Sequence, residues 1–223
     1  MLADSPRGPH NTTIRVLPLG NTVKQYLHEW GRRSPAVTVS CPNCGRRMWG
    51  HGRFHRWVAT RTQRFWIPIY RLRCPDCRLT VSLLPPFLRP HAQFLTCVRE
   101  AAMRLHLGRG LPLTQVAQMV AAPGVGCVTA RTVTRWVHRA QEVAREVSAA
   151  VAARLLELSP GLDLSWYAAG LRARLGPLRT LLGLLDLYRQ VSMALGASAA
   201  AFSAGLFGLV NVRLLPAGSG QYL

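Results

Sequence analysis

Lysine is nearly missing from this sequence: Lys24 is the only one among 28 basic side chains, and the rest are arginine. Acids are scarce as well, nine in 223 residues, which leaves a formal net charge of +19. Genomic base composition alone explains arginine in place of lysine, but not the shortage of acids. A compact chain so charged repels itself, so the natural partner is polyanionic, nucleic acid first and an anionic membrane surface second. The opening residues MLADSPRGPH contain no apolar stretch of the kind a signal peptide needs. No nucleophile with a paired base, no open metal site, no phosphate-cradling glycine loop and no internal repeat is found, so an enzyme is not expected. Six cysteines, four of them in two C-x-x-C pairs, suit a reducing compartment and metal ligation, and the expected location is the cytoplasm.

The charge that is present is concentrated. Between Cys41 and Pro90 lie Arg46, Arg47, Arg53, Arg56, Arg61, Arg64, Arg71, Arg73, Arg78 and Arg89, against Asp76 alone. This stretch also carries CPNCG at 41–45 and CPDCR at 74–78. Two C-x-x-C pairs a few tens of residues apart place four soft thiolates around one structural Zn²⁺ with no position left open. Cys41, Cys44, Cys74 and Cys77 are therefore the expected ligands; a redox pair or four plain buried thiols are the alternatives. The segment between the pairs predicts two strands, 49–58 and 64–73, with a turn near 59–62, and Pro68 implies an edge or a bulge. His51 and His55 would share a strand face, solvated rather than ligating. Cys97 and Cys127 are expected in the core. Arg46, Arg47, Arg53 and Arg56 are assigned to phosphate contacts.

The rest of the chain predicts helices, giving an α+β, mostly helical fold. It divides as 1–36 (tail, a short strand at 12–17 and a short helix capped by Asn21), 37–90 (zinc ribbon), 91–158 and 159–223 (apolar helical segment). A helix over 92–107 stops at Gly108 and Gly110. Leu113, Val116, Ala117 and Val120 then form one apolar face, with Thr114 as the N-cap. After a long turn at 121–128, Thr129 caps a second helix whose inner face is Val133, Trp136, Val137 and Ala140. Its outer face holds Arg131, Thr132, Thr134, Arg135, His138 and Arg139, groups that reach base edges and phosphates. In a helix-turn-helix, Arg131 and Arg135 would read bases, while His138 and Arg139 meet the backbone. Two amphipathic helices with a merely solvated basic face are the plainer alternative. Val133, Val137, Ala140, Ala144, Val147 and Val151 continue a 3–4 spacing that would suit a helical homodimer, as would the C-terminal helices. Between Arg189 and Arg213 no residue is charged, but Ser192, Gly196, Ser198, Ser203, Gly205, Gly208 and Asn211 dilute the run, so packed helices are expected rather than a membrane span.

Taken in order, CPNCG, a basic hairpin, CPDC, the stretch LTVSLLPPF at 79–87, a helix and TARTVTRW at 129–136 resemble the N-terminal DNA-binding region of bacterial insertion-sequence transposases. They also resemble a group of small bacterial zinc-binding proteins with that layout. The resemblance covers roughly residues 37–145. It implies a zinc ribbon and helix-turn-helix that bind double-stranded DNA at the ends of a mobile element. The metal role falls on the four cysteines and the recognition role on 131–139. Such transposases continue into an RNase H-like domain with three metal-binding carboxylates, whereas here only Asp163 and Asp186 follow Glu157. The expectation is a transposase-related accessory or regulator that depends on a separate catalytic partner. A structural or membrane-associated zinc module binding RNA or acidic lipid is the competing reading.

Overall fold

The computed structural model describes residues 12–172, 176–203 and 205–213. Four strands make one mixed sheet in the order β1-β4-β3-β2: β1 Thr12–Val16, β2 Trp49–Ala59, β3 Arg64–Arg73 and β4 Thr80–Leu84. β2 and β3 form the expected antiparallel hairpin, and β4 returns antiparallel to β3. β1 adds in parallel to β4, from Thr12 beside Thr80 to Val16 beside Leu84. The short helix α1 (Val23–Trp30) lies against the sheet, with the Tyr26 hydroxyl donating to the Pro68 carbonyl at 2.7 Å and that of Tyr70 to the Trp30 carbonyl at 2.5 Å. Its cap is Thr22, one residue after the expected Asn21, because the Thr22 hydroxyl accepts from the Gln25 amide. Pro68 sits in an inner strand, but β4 reaches only Tyr70–Arg73, so no ladder bond is demanded of it.

The helices follow. α2 is Thr96–Met103, α3 Leu113–Val120, α4 Ala130–Leu158, α5 Ser165–Gly170, α6 Gly176–Ala194 and α7 Leu206–Arg213. α2 starts four residues later than expected, since the backbone at 93–95 is bonded to β2: Ala59 donates to Gln93 and Leu95 donates to Ala59. Its end widens into a π-turn, Arg104–Gly108. α3 begins at Pro112, with no side-chain cap, and Thr114 is exposed in its first turn. Pro fits there because the first turn leaves its N–H groups without intrahelical partners.

α4, about 43 Å long, is the axis of the helical layer. Val133, Val137, Ala140, Ala144, Val147 and Val151 are all buried within the chain, where α2, α3 and above all α6 pack on α4. That stripe is therefore not free for a homodimer. α6 contributes Leu178, Leu181, Leu184 and Leu185, each fully buried and worth about 1.5–3 kcal/mol of apolar transfer. One cluster of buried side chains runs from Val16 through the sheet and α2–α4 to α6 and α7, crossing the limits at 36, 90 and 158. The uncharged run after Arg189 is not one helix: α6 ends before a turn at Gly196, a short 3-10 helix spans Ala199–Phe202, and α7 follows. Among the described residues no helix is long and apolar enough to cross a membrane.

Candidate metal centre and nucleic-acid interface

Each cysteine pair sits on a tight knuckle. In the first, the Cys41 amide donates to the Arg46 carbonyl at 2.8 Å and the Gly45 amide to the Cys41 carbonyl at 2.9 Å. In the second, the Cys74 amide donates to the Leu79 carbonyl at 2.9 Å. The residue after the second cysteine adopts a left-handed backbone both times, Gly45 at φ 72° and Arg78 at φ 58°. Glycine adopts that shape without strain, so a β-branched residue at 45 is expected to cost about 1–2 kcal/mol. Thermal unfolding of Gly45→Val would show it as a lowered midpoint.

The knuckles bring the four sulfurs together. Cys41 Sγ lies 3.3 Å from Cys77 Sγ, and Cys44 Sγ lies 3.4 Å from Cys74 and 3.8 Å from Cys77, all four within 4.8 Å of one another. Thiolates about 2.3 Å from a common metal stand about 3.8 Å apart at the corners of a tetrahedron, so the cluster fits one ion. None of these cysteines is in a disulfide, and Cys41 and Cys74 are buried while Cys44 and Cys77 are exposed. The thiols do not ionise alike: the Leu79 backbone amide and the Cys41 thiol bring Cys77 down to about 6. Cys44 is pushed up to about 12, because the lowering by the Arg46 amide is outweighed by its crowding against the other thiols.

His51 and His55 stay outside the cluster. A bulge between the Gly50–Leu72 and Arg53–Tyr70 pairs sets two residues of β2, His51 and Gly52, against Arg71 of β3, which puts the two histidines on opposite faces. His55 instead stacks on Trp66, with ring centroids 5.8 Å apart. Cys127 is exposed rather than in the core, and Cys97 is partly buried. The long turn that carries Cys127 keeps it out of the packed interior.

The ribbon arginines are differently occupied. Arg46 pairs with Asp76 at 3.0 Å on the surface, and Arg47 lies over the Trp49 ring at 5.2 Å. Arg53 points toward the Arg32 carbonyl and the Tyr70 hydroxyl, each 3.4 Å away. Arg56 is largely turned inward: it donates to the Ala92 carbonyl, and burial lowers its pKa.

On α4, the Thr129 hydroxyl accepts from the Thr132 amide, which sets the helix start. Thr134 bonds back to the Ala130 carbonyl. Arg131, Arg135, His138 and Arg139 are exposed, and Arg139 pairs with Glu142 at 2.7 Å. Among the described residues Arg131 and Arg135 form no ion pair. Behind them Val133 and Val137 are buried, and α3 packs against α4. The turn between the helices is tied to the tip of the β2–β3 hairpin: the Ala122 amide donates to the Arg61 carbonyl at 2.7 Å and the Arg61 guanidinium to the Met119 carbonyl at 3.2 Å.

Sequence reasoning missed the outer face of the hairpin. Trp57 and Trp66, in register across the strands, are 48 and 50 % exposed with ring centroids 5.0 Å apart, and Arg64 lies over Trp57 at 4.9 Å. The alternation of aromatic and arginine residues along 53–66 was the available signal.

A family described as a domain of unknown function (DUF6431) matches residues 41–119, from Cys41 into α3. No curated protein and no solved structure matches the chain.

Proposed function

We propose that this chain is a cytoplasmic, sequence-specific DNA-binding protein with one structural Zn²⁺, related to the DNA-binding part of insertion-sequence transposases. On this reading it acts as an accessory or regulator and leaves chemistry to a separate catalytic partner. The observation that carries the reading is α4: its first turns present Arg131, Arg135 and His138 to solvent with no acid paired to either arginine, while the opposite face is packed on α3. A surface salt bridge neutralises an arginine cheaply, so leaving both unpaired on one helical face suits a polyanion. Zinc is favoured over other metals because four thiolates in a closed tetrahedral set match its coordination chemistry.

The test is selection from sheared genomic DNA by the zinc-loaded protein at about 150 mM salt, where weak phosphate-only binding is much reduced. A shared motif of several base pairs is expected. Arg131→Ala and Arg135→Ala should each cost about 1–3 kcal/mol and relax preference at one position. Uniform recovery of all fragments would overturn the reading.

A second reading has one observation in its favour. The exposed Trp57–Trp66 pair beside Arg64 is a platform on which unpaired bases stack, as in proteins that bind single-stranded RNA. Uniform recovery from duplex DNA with tight binding to single strands, lost in Trp57→Ala, would select it.

A further inference from the structure

Between the loop after β4 and the first turns of α4 lies a cavity of about 750 Å³, within the size range of small-molecule sites. Among the described residues, four arginines line it: Arg89, Arg99, Arg135 and Arg139. None of the described lining residues is acidic. Arg135 and Arg139 stand exposed at the mouth, Arg89 is half-buried, and Arg99, from α2, is only 5 % exposed.

Arg99 is the unusual member. Its guanidinium lies over the Trp136 ring at 5.5 Å, and among the described residues both buried nitrogens Nε and Nη1 have no hydrogen-bond partner. Buried donors of this kind are rare, and a buried charge is rarer still unless something pairs with it. Burial, with Arg89 and Arg139 nearby, brings Arg99 down to about 9, while burial and Arg139 lower Arg89. A fold that needed only packing here would place methionine or leucine on α2. Converging guanidinium groups, of which Arg139 is paired with an acid, Glu142, match the several anionic oxygens of a phosphate group better than any neutral ligand.

We propose that this cavity binds a phosphate ester, with Arg99 at its base and Arg89, Arg135 and Arg139 around the opening. The inference rests on the DNA-binding reading in one respect: a backbone phosphate of bound DNA is the nearest source. A free nucleotide offers the same chemistry and is the other.

The test uses the full, zinc-loaded chain and two probes, inorganic phosphate and deoxyadenosine monophosphate, with chloride at matched ionic strength as the reference. Both probes should raise the thermal midpoint by a few degrees over chloride. Arg99→Met should abolish that increment. Without phosphate it should melt at or above wild type, because a buried unpaired charge has been removed. Arg179→Ala, an exposed change on α6, should retain the increment. On a 20-base-pair duplex, Arg99→Met should bind about tenfold more weakly, with the slope of log K against log salt reduced by about one.

An Arg99→Met protein that keeps the full phosphate increment overturns the proposal. So does one that melts well below wild type, since the side chain would then be structural. Should Arg99→Met not fold, Arg135→Gln at the exposed mouth carries the test, and an undiminished increment there has the same force. Phosphate stabilisation without duplex binding would uphold the cavity as a site for a free phosphorylated ligand and remove the DNA reading. Duplex binding with no phosphate response in either protein would leave the DNA reading in place and remove the cavity site.

Discussion

Serine at position 74 is expected to release the metal and unfold the ribbon. Cys74 is fully buried at the start of the second knuckle, and its sulfur is one corner of the four-thiol cluster. A structural zinc contributes on the order of 10 kcal/mol to domains of this kind, comparable to the whole stability of a small domain. Native mass spectrometry should show one zinc in wild type and none in Cys74→Ser, with loss of strand signal in circular dichroism. A Cys74→Ser protein with one bound metal and an unchanged melting curve would refute the assignment. Acid should act in the same direction. Bound thiolates must stay deprotonated, so protonation releases the ion as pH falls. Zinc release followed by a chromogenic chelator should therefore increase toward acid.

The second large effect is expected at Glu100. This carboxylate is buried on α2, accepts from Arg104 at 2.9 Å and from the Phe207 amide in the first turn of α7 at 3.2 Å. Arg104 in turn reaches Asp186 on α6 at 2.8 Å. One acid thus joins α2, α6 and α7, and a carboxylate near a helix N-terminus is favoured by the dipole as well. Glu100→Ala leaves a partly buried guanidinium with one partner fewer and the α7 amide with none. The expected loss is about 2–3 kcal/mol, discounted because Arg104 keeps Asp186 and some solvent. Chemical denaturation would measure it, and hydrogen exchange should show α7 opening first. A loss below about 0.5 kcal/mol would mean that α7 is held by its apolar contacts alone.

Much of this was readable in the residues because it depends on local pattern. The C-x-x-C spacing, the hairpin runs on either side of Thr60–Gln63 and the Thr129 cap each act within a few residues, and the structure has them where the pattern put them. What the pattern did not show depends on distant partners. TVSLL at 80–84 is a five-residue run whose strand character is settled by pairing with β3 on one side and with β1, some 68 positions earlier, on the other. The start of α2 was moved by hydrogen bonds to Ala59. The 3–4 stripe on α4 was correctly apolar, but periodicity identifies a buried face and not what buries it; α6 of the same chain does so. The arginine cavity was equally hidden, because Arg89, Arg99 and Arg135 belong to three segments that only the fold brings together.

The tie between Arg61 and the α3–α4 turn constrains how the molecule would meet a target. With the Ala122 amide and the Met119 carbonyl both held by one hairpin residue, the basic ribbon and the amphipathic helix pair have little freedom to swivel against each other. A rigid pair of contact surfaces loses less orientational freedom on docking than two modules on a loose linker. The same stiffness makes it a caliper of fixed span. One base pair inserted between the two contacts on B-form DNA would carry the second about 3.4 Å along the axis and about 34° around it. The protein would then have to give up one of its two grips, so spacing, and not only sequence, would define the site.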